Sequence, residues 1–230
     1  MMGKGHAWTG VLAAVGTAQY MHADVPTLLL LCTTFPGAAL LPDIDHAKAT
    51  VSNTFGPLTR VFSLVLGHRR ETHSIPGVLS IGLVIGACAE MSKSTYEPVL
   101  MYTSRTVLAL VLILLWASII RLFKIRGWLD DLAPVPVAVA VTFFPEQLMS
   151  IGIAPFPFVV LAPVVIGGML IHIVGDVLTK QGCPLMWPLS DTRTAVGLFR
   201  AGSWFERWVV VPLIMGGVAW SFTVWIMNYA

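Results

Sequence analysis

Seven apolar stretches follow one another along the chain, at about Ala7–Met21, Pro26–Leu41, Ile75–Ala89, Thr106–Ile120, Leu132–Phe144, Pro155–Val174 and Trp208–Tyr229. This recurrence constrains the fold more than any motif does. Inside hydrocarbon every backbone N–H and C=O must be satisfied within the spanning structure, so only helices and closed barrels cross a bilayer. The alternating pattern of barrel strands is missing. The expected fold is all-α, a polytopic membrane bundle of about six to seven apolar helices. Composition agrees: 56% of residues are apolar and 11% charged, whereas a soluble domain carries about 25% charged residues. The bilayer is therefore the partner this surface demands. The 230 residues suit one membrane-embedded domain. A formal net charge of +2 does not by itself imply a nucleic-acid partner.

The sixth and seventh stretches are long enough to cross a core about 30 Å thick. The others fall short of roughly 17–25 residues and must recruit flanking residues, thin the bilayer or stay buried. Pro134, Pro136 and Pro145 make the fifth the weakest. Pro26, Pro76 and Pro155 lie near span starts, where a missing N–H costs little. Lys4 precedes only a weak apolar core at Val11–Val15, so a retained first helix is expected rather than a cleaved signal. Two polar stretches, Pro42–Ser74 and Gly175–Arg207, are long enough to be structures in their own right. Leu58, Phe62 and Val65 within the first predict a short interfacial helix over Pro57–Leu66. Cys32, Cys88 and Cys183 are too scattered for a disulfide framework or a zinc ribbon.

Threading the chain through seven crossings brings His6, Asp43, Asp45, His46, His68, His73, His172 and Asp176 to one side and leaves only His22 of the histidines opposite. Most lysines and arginines fall on the same side, with Lys93 and Arg105 opposite. By the positive-inside rule the histidine-rich side is cytoplasmic.

Three clusters carry the chemistry. Pro42-Asp43-Ile44-Asp45-His46 follows directly on an apolar helix, where a carboxylate pair is unfavourable to the helix dipole and is better explained by cation binding. His46 is either a ligand or an outer partner of Asp43. The second cluster is His68-Arg69-Arg70-Glu71-Thr72-His73-Ser74, just before the third span. His68 and His73 can converge if the segment turns, and Arg69 can pair with phosphate oxygens. In the third, His172 and Asp176 stand four apart on one helical face at the end of the longest apolar run. An ionisable pair at that depth is a functional-site hypothesis by default. His6 joins the set through its placement on the shared side.

The expected metal ligands are thus His6, Asp43, Asp45, His68, His73, His172 and Asp176, with Asp45 or Asp176 able to serve instead as general base. So many groups exceed what one tetrahedral zinc needs and point to two or more divalent ions, with zinc first and manganese as the alternative. No serine or cysteine nucleophile motif and no Walker loop is present, so the economical nucleophile is metal-activated water. The reading is a phosphoester hydrolase acting on a phospholipid or another lipid-linked phosphate. A metal or proton transporter, a metal-stapled structural protein and a nuclease-like phosphodiesterase are the alternatives. Clusters at span ends favour an enzyme over a transporter, whose site belongs near the midplane. The oligomeric state is left open.

At these residues the sequence resembles the YdjM-type family of inner-membrane-associated, metal-dependent hydrolases, also called LexA-binding for their regulation. The matching pieces are His6, Leu40-Leu41-Pro42-Asp43-Ile44-Asp45-His46, His68-Arg69 with Thr72-His73-Ser74, and His172 with Asp176, Thr179, Gly182 and Trp187-Pro188-Leu189. Arg70 departs from the family, which often has glycine there. More distantly the family is similar to the zinc phospholipase C and single-strand nuclease superfamily, which holds zinc with a His-x-x-x-acid pair on one helix. That likeness implies His172 and Asp176 as ligands, completed by Asp43, His68 and His73.

Overall fold

Each of the seven apolar stretches carries a helix. The computed structural model describes residues 1–46, 49, 51, 71–94, 96–123, 132–152 and 157–229. Its helices are α1 (Gly3–Tyr20), α2 (Val25–Leu40), α3 (Ile75–Met91), α4 (Pro98–Leu122), α5 (Pro134–Phe143), α6 (Pro145–Ser150), α7 (Leu161–Val177) and α8 (Val211–Tyr229). Short 3₁₀ turns at Leu41–Asp45, Glu71–His73 and Phe158–Val160 and a π turn at Glu206–Val210 join or extend them.

Among the described residues, four segments are long and apolar enough to cross a membrane: Val25–Asp45, Pro98–Leu122, Phe158–Val177 and Glu206–Asn228. The chain is a membrane protein of helical-bundle type. At ten residues α5 reaches only about 15 Å, as its prolines predict. The helix expected over Pro57–Leu66 lies outside the described residues, as does Pro155.

Local chemistry explains the helix starts. The Asp24 carboxylate accepts from Thr27 N–H at 3.0 Å and caps α2. The Ser74 hydroxyl accepts from Gly77 N–H at 3.1 Å and caps α3. Pro26 and Pro76 occupy the first turns just inside these caps.

Packing centres on the last turns of α2, where Phe35 to Leu40 are all buried. Small residues allow neighbouring backbones to close in. A Cβ on Gly10 of α1 would lie 2.7 Å from Pro36 Cα, one on Gly37 would lie 2.6 Å from the Leu115 carbonyl of α4, and one on Gly168 of α7 would lie 2.5 Å from Ala38 Cβ. α2 is thus clasped by α1, α4 and α7. α3 packs on α7, where a Cβ at Gly82 would meet Ile166 at 2.3 Å. α8 lies against α1 and leaves most of its surface outward.

One end of the bundle is closed by the segment after α7. It folds back on that helix through Val196 N–H to the Val177 carbonyl and Lys180 N–H to the Phe199 carbonyl, at 2.7 and 2.8 Å. Its turn needs Gly182, which has φ of +57° and whose Cβ would fall 2.3 Å from the Thr194 carbonyl. Leu185 accepts from Ile75 N–H at 2.9 Å, so the same segment covers the start of α3. At the other end the Trp225 indole donates to the Ala23 carbonyl at 3.1 Å, and Arg105 Nε donates to the Ser92 carbonyl at 3.2 Å.

Candidate metal centre

Three chain regions deliver donor atoms to the closed end of the bundle. The 3₁₀ turn after α2 carries Asp43 and Asp45, the turn before α3 carries His73, and the last turns of α7 carry His172 and Asp176. His73, His172 and Asp176 are buried in the bundle. Asp43 keeps 19% of its side chain exposed.

Asp43 Oδ1 and Asp176 Oδ2 each approach the nitrogen pair His73 Nε2 and His172 Nε2. The two imidazole nitrogens are 3.2 Å apart. Asp43 Oδ1 is 3.8 Å from each of them. Asp176 Oδ2 is 3.8 Å from His73 Nε2 and 3.9 Å from His172 Nε2. A tetrahedral ion with roughly 2.0–2.1 Å bonds sets its donors about 3.3 Å apart, so the imidazole pair already stands near that spacing and each carboxylate oxygen need approach it by only about half an ångström.

The hydrogen bonds behind the rings prepare the nitrogens. His172 Nδ1 donates to the Ala39 carbonyl at 2.8 Å, and a carbonyl can only accept. Nε2 of a neutral His172 therefore presents its lone pair to the cluster. His73 Nδ1 lies 3.2 Å from Asp45 Oδ2, which also accepts from the Thr72 hydroxyl at 2.7 Å. That directs the His73 lone pair inward too. Two lone pairs and two carboxylate oxygens then share one small buried space, an arrangement that a cation resolves.

His6 stands on the far side of Asp176. Its Nε2 is 3.3 Å from Asp176 Oδ1 and 3.1 Å from the Met1 carbonyl, and its ring stacks on His172 at 3.6 Å. The Met1 amino group also donates to Asp176 Oδ1. Two overlapping sets, Asp43–His73–His172 and His6–His172–Asp176, each bring one ligand atom per residue within 4.8 Å of the others. These buried His and Asp groups are placed to hold a metal ion.

The structure thus brings together five of the seven expected ligands. Asp45 is correctly near but sits on the Nδ1 side of His73, away from the four converging atoms. Its neighbour His46 donates its N–H to the Asp43 carbonyl at 2.9 Å. His68 and Arg69 lie outside the described residues. Cys183 packs beneath α7, its sulfur 3.9 Å from the Ile173 carbonyl. His22 adopts a φ of 50° in the turn between α1 and α2, at the opposite end.

Sequence reasoning missed Glu206. It is buried at the head of the α8 span and accepts from Met2 N–H at 2.7 Å and Gly202 N–H at 2.6 Å, tying the start of α1 to α8. An acid at the head of an apolar run was the available signal. Beside it opens a cleft of about 660 Å³, walled by Asp43, Glu206, Lys4, Arg121 and Arg207.

Residues 1–229 match the YdjM inner membrane protein family. The chain belongs to this family. It is also 35% identical over 75 residues to the uncharacterized protein YvsG of Bacillus subtilis (strain 168), a stretch covering 33% of this chain and 45% of that relative. The matched stretch thus spans less than half of YvsG. No solved structure matches the chain.

Proposed function

We propose that this YdjM-family protein is a metal-dependent hydrolase that cleaves a phosphoester at the membrane surface, with a phospholipid or another lipid-linked phosphate as substrate. One observation carries the reading. Asp43, His73, His172 and Asp176 bring acceptor atoms together at the end of the bundle, and the least buried member, Asp43, lines a cleft with Lys4, Arg121, Arg207 and Glu206. A mixed imidazole and carboxylate set suits zinc, with manganese as the alternative. When bound there, such an ion supplies Lewis acidity toward a phosphoryl oxygen and activates water near neutral pH.

The chain's own residues divide the remaining work. Asp45 and Thr72 hold His73 in the tautomer that binds, and Ala39 does the same for His172. His6 holds the outer oxygen of Asp176 and fixes its orientation. Of the two carboxylates weighed as general base, Asp176 reaches the cluster, whereas Asp45 is shut behind His73. The His6 set shares the one free lone pair of His172 with the Asp43 set, so it offers an alternative position for the same ion rather than an independent second one. Arg69 is assigned to substrate phosphate because of its suitability for bidentate pairing. The site faces the cytoplasm in this reading, because Lys4, Arg121, Lys180, Arg193, Arg200 and Arg207 gather at its end while Lys93 and Arg105 lie at the other.

The test is a screen of metal-reconstituted protein against phospholipids, lipid phosphates and single-stranded nucleic acid, each with a chelator control. Chelator-sensitive release of phosphate or headgroup from a lipid is expected. Cleavage confined to nucleic acid would replace the substrate class, and metal flux into proteoliposomes without ester cleavage would replace the enzyme by a transporter.

A further inference from the structure

α1 begins without a cap of its own. Asp24 and Ser74 cap α2 and α3, whereas the Met2 side chain, at the cap position of α1, makes no such bond. The N–H groups at a helix start need acceptors from elsewhere. Glu206 supplies one from the head of α8, 204 residues on. Its Oε1 accepts from Met2 N–H at 2.7 Å, as the glutamate of a capping box does from within a helix. Its Oε2 accepts from Gly202 N–H at 2.6 Å, where Gly202 turns with φ of +75°. The Ser203 hydroxyl accepts from Glu206 N–H at 3.3 Å. One oxygen is thus anchored in its own turn, and the other holds α1. A negative charge beside a helix N-terminus is favourable, and hydrogen bonds to both oxygens offset the cost of burying it. Gly5 leaves the room, since a Cβ there would fall 3.1 Å from Glu206 Oε1.

We infer that Glu206 is a positioning residue for the cation centre: by fixing the start of α1 it holds His6 against Asp176. The inference rests on that centre and not on the reaction proposed for it. The path between the two is short. The Met2 carbonyl accepts from the N–H groups of Gly5 and His6, at 2.8 and 3.2 Å, so the main chain of Met2 joins Glu206 to the first turn of α1. His6 is fully buried in that turn. Its Nε2 is 3.3 Å from Asp176 Oδ1, and its ring stacks on His172 with centroids 3.6 Å apart. A Cβ at Gly175 would lie 3.1 Å from His6 Cε1, so the ring is seated closely on α7. A shift of the first turn therefore reaches Asp176 and His172 together. Glu206 is not one of the converging ligand groups among the described residues. As a mere staple between α1 and α8, it would act as Trp225 does at the opposite end, where the indole donates to the Ala23 carbonyl. The two roles differ in whether His6 is needed for the effect.

The test is a double-mutant cycle on the full chain in detergent, with zinc affinity read by competition against chelators of graded strength. His6→Ala should weaken zinc binding about 10–100-fold, the usual cost of losing an outer partner. Glu206→Gln puts an amide NH2 where a carboxylate oxygen accepts. It should weaken zinc binding about five- to tenfold, being one step further from the ion. In the His6→Ala background the same change should cost less than about twofold, because the group it positions is gone. Trp225→Phe loosens α8 at the other end and should stay within about twofold of the parent. Should Glu206→Gln fail to fold, Glu206→Asp draws both oxygens back by one carbon and runs the same cycle with the same expectation. The proposal is overturned if the Glu206 variant binds zinc as the parent does. It is equally overturned if that variant costs as much without His6 as with it, or if Trp225→Phe costs as much as the Glu206 change. A parent that takes up no zinc would fail the centre and this proposal with it. A parent that binds zinc equally well with and without Glu206 would fail this proposal alone.

Discussion

Asp43 and Asp45 stand two positions apart and meet different neighbours. A 3₁₀ turn has about three residues per turn, so two steps carry the side chain some 240° around the axis. Asp43 therefore faces the cluster and the cleft, while Asp45 reaches behind His73. The sequence shows two carboxylates and a histidine after an apolar helix, and nothing in the spacing alone separates ligand from outer partner. His172 and Asp176 were legible because four residues on a helix return to the same face. Glu206 was not, because an acid beside Arg207 at a span head looks like an ordinary interfacial charge, and its burial depends on Met2 and Gly202 closing over it. If Asp45 acts through His73, Asp45→Asn should leave the fold intact and weaken zinc affinity about 10–100-fold, the usual cost of losing an outer partner of a ligating histidine. A chelator-competition titration reads this. Unchanged affinity would remove Asp45 from the centre.

The helices were legible as hydrophobic runs, and their ends were shifted for physical reasons. α4 begins at Pro98, eight residues before the apolar stretch at Thr106. Hydroxyls in that first part turn back onto the helix, with Thr103 donating to the Val99 carbonyl and Thr106 to the Tyr102 carbonyl, both at 2.8 Å. Arg105 spends its charge on the Ser92 carbonyl at the bundle end. Hydropathy penalises such residues although the helix satisfies them. The packing of the helices was harder to read, since it depends on which glycines face a partner. Gly168 faces Ala38, and Gly216 of α8 has no neighbour within 4 Å of its would-be Cβ. Gly168→Val should therefore destabilise the protein by about 1–3 kcal/mol, as overpacking does, and lower the unfolding temperature in detergent. Gly216→Val should leave it nearly unchanged. Equal effects at the two positions would contradict the clasped arrangement of α2 and α7.

At the scale of the molecule, the bundle serves to collect polar groups that could not otherwise sit near hydrocarbon. Each helix that carries a donor ends or begins at the same end, and the segment after α7 closes over them. α2 supplies both the carboxylate turn and, through Ala39, the hydrogen bond that fixes His172. This explains why sequence positions as distant as Asp43, His73 and His172 meet within 4 Å. Their approach also explains why the gathering of histidines on one side could be seen by threading hydropathy alone, while the division into converging atoms and outer partners could not.

The most direct measurement is the metal content of the purified protein beside that of the His172→Ala/Asp176→Ala variant, by inductively coupled plasma mass spectrometry, with circular dichroism confirming that both are folded. At least one divalent ion per chain is predicted for the parent and none for the variant. A folded variant that keeps its metal, or a parent that takes up none when offered zinc or manganese, would contradict the shared cation centre.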